Sequence, residues 1–204
     1  MIRQGLWFAL LLLVVSCGAP IKHSGNTIEN DTSVGVVKED EPINNNTQPM
    51  PAIPEGAVTG LFQTNAAPFY AAVTEIDDEN ATTRISFENS DLSAIDIPES
   101  KGAILQNVQF DGFERDVLLI NSVYKDPIFR KFYLFALTDE EWKPVVDGFI
   151  LHVDNIDDAT LPIAIDPSNP NKMVRSYSVF DMDPESDTKY TWILHQETVD
   201  ILQR

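Results

Sequence analysis

The sequence predicts a mainly β protein, an antiparallel β-sandwich or small β-barrel, and three observations lead there. Thr83, Ile85 and Phe87 alternate with Arg84, Ser86 and Glu88, the period-two pattern of a strand with one wet face. Positions 117–120 and 132–137 are apolar on both faces, as in central strands covered on both sides. Pro98, Pro127, Pro162, Pro167, Pro170 and Pro184 interrupt every window in which a long helix would otherwise fit.

The remaining elements follow in order. Residues 69–76 and 104–110 are looser strands of the same kind. Asp111-Gly112 and Asp147-Gly148 each sit between apolar runs. Asp-Gly supplies the positive φ angles of a type I′ turn, so both are expected to close tight hairpins. Thr138-Asp139-Glu140-Glu141 begins like a helix capping box, which Trp142 and Pro144 end within a turn. Roughly nine or ten short strands therefore fill about 150 residues, a sandwich or barrel count. The Asp-Gly-Phe and Ile-Leu-His triplets each occur twice, at unequal spacings, so no repeat architecture is implied.

Upstream of that domain the chain changes character twice. Between 18 and 56, Asn, Ser, Thr, Asp and Glu dominate, and Pro42, Pro49, Pro51 and Pro54 punctuate the end. Such a segment buries too little to offset its ordering entropy. It reads as a flexible tether with a root-mean-square reach of roughly 30–40 Å. Before it, Arg3 provides a positive start, positions 6–15 are apolar without a break, and Val14-Val15-Ser16-Cys17 closes the run. This is the layout of a secretory signal, too short to span a bilayer.

The tetrapeptide ending at Cys17 resembles the lipobox of bacterial lipoproteins. The resemblance covers residues 1–17 alone and implies removal of 1–16, acylation of Cys17 (palmitate among its chains) and attachment to a membrane. Gly18 follows the cysteine where an Asp would retain the best-studied lipoproteins in the inner membrane, so the resemblance implies the outer membrane. The expected organisation is thus a signal peptide at 1–16, an acylated Cys17 with its tether at 17–56, and a β domain at 57–204.

Composition narrows function by exclusion. The chain carries 14 Lys+Arg against 32 Asp+Glu, a formal charge of −18, and loss of Arg3 with the signal makes it −19. With no basic run, the surface repels nucleic acid, whose binding rests on Lys and Arg displacing counterions. Cys17 is the single cysteine, so the β domain has no disulfide, cysteine nucleophile or cysteine-based zinc site. Neither a Gly-x-Ser-x-Gly elbow nor a His-Glu-x-x-His helix is present.

Four candidate features remain. Asp181, Asp183, Glu185 and Asp187 place carboxylates on alternate residues, and a curled loop would offer them to calcium, which takes six to eight oxygens. No Gly permits an EF-hand turn and Pro184 stiffens the middle, so the expectation is a solvated acidic loop and no cofactor. His152 and His195 end probable strands near Asp154 and Glu197, which would make a metal site or an acid–base pair if brought together. Without motif spacing they read as ordinary histidines bonded to neighbours. Tyr190, Trp192 and Leu194 share one strand face. Open, that face would stack sugar rings or receive a partner's apolar side chain; large aromatics on strands mostly fill interiors, so it is expected to be core. Paired carboxylates of a hydrolase are the fourth, with no spacing to single out a pair.

The sequence reading is therefore a lipid-anchored envelope lipoprotein displaying a β domain for binding or scaffolding, with an envelope protein or glycan as partner and no nucleic acid. An acidic-residue hydrolase and a calcium-stabilised adhesin-like module are the alternatives.

Overall fold

A computed structural model describes residues 52–204. The signal peptide, Cys17 and all of the tether up to 51 lie outside the described residues. Eleven strands form three antiparallel sheets. The first contains β1 (Val58–Gly60), β2 (Phe69–Asp77), β3 (Thr82–Phe87) and β4 (Ile95–Pro98), in that order. The second contains β5 (Ser100–Val108), β6 (Val117–Tyr124), β7 (Phe129–Thr138) and β8 (Glu141–His152), again in chain order. The third is ordered β11 (Tyr190–Asp200), β10 (Asn169–Met182), β9 (Ile163–Asp166). A single 3-10 turn, Val153–Asn155, follows β8. Among the described residues no helix is long and apolar enough to cross a membrane.

The second sheet is the middle layer, and β6 shows why. Leu118 and Ile120 pack with Phe62, Ile85 and Ile97 of the first sheet's side. Val117 and Leu119 pack with Leu134, Phe149, Ile163 and Met173 on the side of the third. Side chains alternate along a strand, so an unbroken apolar run serves two cores at once. The run at 132–137 does the same, with Phe132, Leu134 and Ala136 in one core and Leu137 in the other. The mainly β, sandwich-type expectation holds, with three layers in place of two.

Turn chemistry departs from the sequence pattern at three places. Asp111-Gly112 lies in an eight-residue connection, where Phe113 N–H bonds Phe110 C=O at 3.1 Å and Gly112 takes φ +82°. Asp111 has no positive φ, so the turn is not type I′. Asp147-Gly148 closes no hairpin at all. Phe132 pairs Phe149 and Leu134 pairs Val146, so Asp147 and Gly148 together oppose Tyr133 as a β-bulge inside β8. A Cβ on Gly148 would lie 3.1 Å from the Tyr133 ring, which is why the bulge carries glycine. The segment at 138–141 is a two-residue hairpin instead of a helical turn, joining β7 to β8 with Asp139 at φ 55° and Glu140 at φ 62°. Pro144 is tolerated in β8 because β8 is an edge strand.

Candidate functional site

The hairpin of β10 and β11 pairs Ser176 with Gln196, Ser178 with Leu194, Phe180 with Trp192 and Met182 with Tyr190. Cross-strand partners share a face, so these eight side chains form one stripe. Its outer half is open: Phe180 is 57% exposed, Tyr190 55%, Leu194 46% and Met182 44%. This corrects the expectation that Tyr190, Trp192 and Leu194 are core. β10 has 14 residues and β11 has 11, yet Met173 is the one β10 residue in the buried core between the second and third sheets. The hairpin outruns the layer beneath it, and nothing among the described residues covers the end.

Trp192 is the member that ties this stripe down. It is half-buried, stacked on His152 with ring centres 5.1 Å apart and planes 12° apart. Phe129 meets it edge-on at 5.1 Å, and Phe180 lies tilted at 5.2 Å. Tyr190 continues the row beyond Phe180, at 5.8 Å. His152 itself is buried; its N–H donates to Ser178 Oγ at 2.8 Å, and its Nδ1 accepts from Asp154 N–H at 3.3 Å. His195 is exposed against Tyr177 on the opposite face of the hairpin, at 5.8 Å. The two histidines are therefore not brought together, and His152 is an aromatic support with a neighbour on its ring nitrogen.

Inward of the aromatic row, the same face walls a cleft of about 240 Å³ between the second and third sheets. Ser176, Leu194 and Gln196 form one wall, Gln106 of β5 and Asn121 of β6 contribute to the other, and residues 155–162 make the rim. That rim is locked from within. Asn155 Nδ2 donates to Ser178 Oγ at 3.0 Å and to the Trp192 carbonyl at 3.2 Å. Asp157 accepts from Ala159 N–H and from the Thr160 hydroxyl, and these bonds hold its carboxyl below the ordinary carboxylate range. Two carboxylates, Asp157 and Asp158, line the cleft, and no Lys, Arg or His does.

The other groups with displaced pKa values lie elsewhere. Asn80 lowers Asp77, Arg84 lowers Asp96, and Lys125 followed by Tyr124 lowers Glu99. In turn Asp96 raises Arg84 and Glu99 raises Lys125. These are exposed pairs on the first sheet and at its junction with the second.

The acidic loop closes β10 to β11 as an internally bonded turn. Asp183 N–H bonds Lys189 C=O at 2.8 Å, and Asp183 Oδ1 accepts from Glu185 N–H at 3.0 Å. Asp181 Oδ1 accepts from Met182 N–H at 2.7 Å. Among the described residues no three His, Cys, Asp or Glu side chains are gathered so as to hold a metal, and Asp181, Asp183, Glu185 and Asp187 are no exception. Compared with known proteins, the chain matches no family model, no curated protein and no solved structure.

Sequence reasoning named Tyr190 and Trp192 but missed the cleft, whose polar groups come from four strands and share no spacing. One signal was present: Asn121, directly after Ile120, is where the apolar run of this central strand gives way to polar residues.

Proposed function

We propose that this chain is a lipid-anchored protein of the bacterial envelope, sorted to the outer membrane, whose β domain binds a partner or ligand through the β10–β11 face. One observation carries the binding half: an apolar stripe, Phe180, Met182, Tyr190 and Leu194, stays uncovered while alternate residues of the middle sheet are buried on both sides. Burying such side chains is worth about 1.5–3 kcal/mol each, so a contiguous exposed set marks an interaction surface. The lipobox-like stretch ending at Cys17 supports the anchor, and a second acyl chain is what makes such anchoring stable.

Both halves are tested in the producing cell. Tyr190 replaced by the photocrosslinker p-benzoylphenylalanine is expected to give a discrete adduct on irradiation, because benzophenone attacks C–H bonds of protein and glycan alike. The same replacement at Ile104, an exposed apolar residue of the second sheet, is the control. Equal labelling at 190 and 104 would remove the binding reading. Cys17→Ser is expected to leave the membrane fraction, and a variant that pellets like the parent would remove the anchor.

A further inference from the structure

We propose that the cleft between the second and third sheets is a binding site for a neutral saccharide, one pyranose ring at a time. The inference deepens the binding reading above and rests on it, because Ser176, Leu194 and Gln196 belong to the same hairpin face.

Charge sets the first limit. Asp157 and Asp158 are the ionisable groups of the lining, with no cation to offset them, so carboxylated and phosphorylated ligands are repelled. Hydrogen-bonding capacity sets the second. Among the described residues, the side chains of Gln106, Asn121, Ser176 and Gln196 take no part in the protein's hydrogen bonds, in contrast to Asn155, Asp157 and Thr160 on the rim. Each uncommitted amide or hydroxyl both donates and accepts, so their match is a neutral molecule that also does both at several neighbouring positions. A sugar ring has that edge of alternating hydroxyls, and its C–H face suits the half-open walls made by Leu161 and Leu194.

Asn121 is the group with most to gain. Its Oδ1 is shut off from solvent with no donor, while the residue as a whole remains partly accessible. A rotation of the side chain towards the cleft it lines would let a ligand hydroxyl supply the donor that Oδ1 lacks. The locked rim adds pre-organisation, since it need not be ordered on binding. The volume, about 240 Å³, falls below the roughly 300–1,000 Å³ of sites for larger organic ligands, so the cleft admits a single ring. A polypeptide partner fits less well: an extended segment is held through main-chain bonds to a sheet edge and does not call for a cluster of side-chain amides.

The test uses the full chain purified in a detergent without a sugar headgroup. Glucose, galactose, N-acetylglucosamine and glucuronic acid are titrated at millimolar concentration while the side-chain amide resonances of Asn121 and Gln196 are followed. Saturable shifts with at least one neutral sugar and none with glucuronate are expected. Gln196→Ala, at an exposed position that leaves the fold intact, and Asn121→Ala should each weaken binding by about tenfold, the scale of one lost hydrogen bond. No saturable shift with any neutral sugar, equal binding of glucuronate, or indifference to Gln196→Ala would overturn the assignment. If Tyr190 nevertheless crosslinks to a protein, the saccharide falls and the binding face stands. Blank results in both experiments would remove both.

Discussion

The hydroxyl of Ser100 donates to Thr83 Oγ1 across 2.7 Å, with both side chains fully buried, where the chain passes from the first sheet to the second. Ser122 donates to Ser100 Oγ at 2.8 Å, and Gly102 N–H donates to Thr83 Oγ1 at 2.8 Å. Strands β3, β5 and β6 thus meet at a small polar knot inside apolar layers. Every member has a partner, which is the condition for such a network to stabilise a core.

Ser100→Ala should accordingly lower stability by about 1–3 kcal/mol, because it leaves the Ser122 and Thr83 hydroxyls short of a partner without opening a large cavity. Chemical denaturation checks this. A variant with the parent's midpoint would mean the knot is neutral.

A second prediction concerns the hairpin at Asp139-Glu140. Both residues hold positive φ, where an L side chain costs roughly 1–2 kcal/mol, while Lys143 Nζ reaches the Asp139 carboxylate at 3.5 Å. Glu140→Gly relieves the strain at the position without that ion pair. After the extra entropy glycine carries in the unfolded chain, roughly 0.5–1 kcal/mol, a small net gain of up to about 1 kcal/mol is expected. It should appear as a higher denaturation midpoint at unchanged slope. A fall in midpoint would show that the strain is offset elsewhere.

That hairpin also shows where sequence reading reached its limit. The two-sided apolar runs at 117–120 and 132–137 were legible because their pattern depends on burial alone. The turns were not. Asp-Gly favours positive φ locally, yet the pairing of Phe132 with Phe149 and Leu134 with Val146 places Asp147-Gly148 inside a strand and moves the tight turn to Asp139-Glu140. Long-range pairing outweighed local preference. The open face of the hairpin was missed for a related reason: Tyr190 and Trp192 announce a strand, but whether a layer covers them depends on how far β10 and β11 outrun the sheet beneath. Asn121 was visible as a polar break, whereas its neighbours in the cleft come from strands far apart in sequence.

Acid should destabilise the domain through particular pairs. Asp77, Asp96, Glu99 and Asp157 all titrate below their ordinary range when folded. A carboxylate depressed in the folded state contributes stability above its unfolded pKa and loses it as pH falls through the folded value. The loss should therefore begin near pH 4, the ordinary carboxylate range, and deepen below it. Protonation also relieves the repulsion of a highly acidic surface, which acts in the opposite sense. Comparison with Glu99→Gln separates the two, since the general term is nearly shared. The variant should show the shallower decline in melting temperature between neutral pH and pH 3. Parallel curves would mean that the contacts of Glu99 with Lys125 and Tyr124 contribute nothing measurable.

Within the aromatic row, position should separate stability from binding. Phe180 and Tyr190 are more than half exposed and give up only solvent-facing ring contacts, so Phe180→Ser and Tyr190→Ser should each cost no more than about 1 kcal/mol. Trp192 is held by His152, Phe129 and Phe180, and Trp192→Ala removes a ring from three aromatic contacts, each worth about 0.5–1.5 kcal/mol beyond its area. A loss of about 2–4 kcal/mol follows for that variant. Thermal melts of the three, read beside photocrosslinking from a benzoylphenylalanine at Leu194, distinguish the roles. Phe180→Ser and Tyr190→Ser should melt much closer to the parent than Trp192→Ala does and yet lose the adduct, whereas Trp192→Ala should lose both stability and adduct. If the two serine variants retain the adduct, the exposed stripe is bare surface and the ligand is held by the cleft alone.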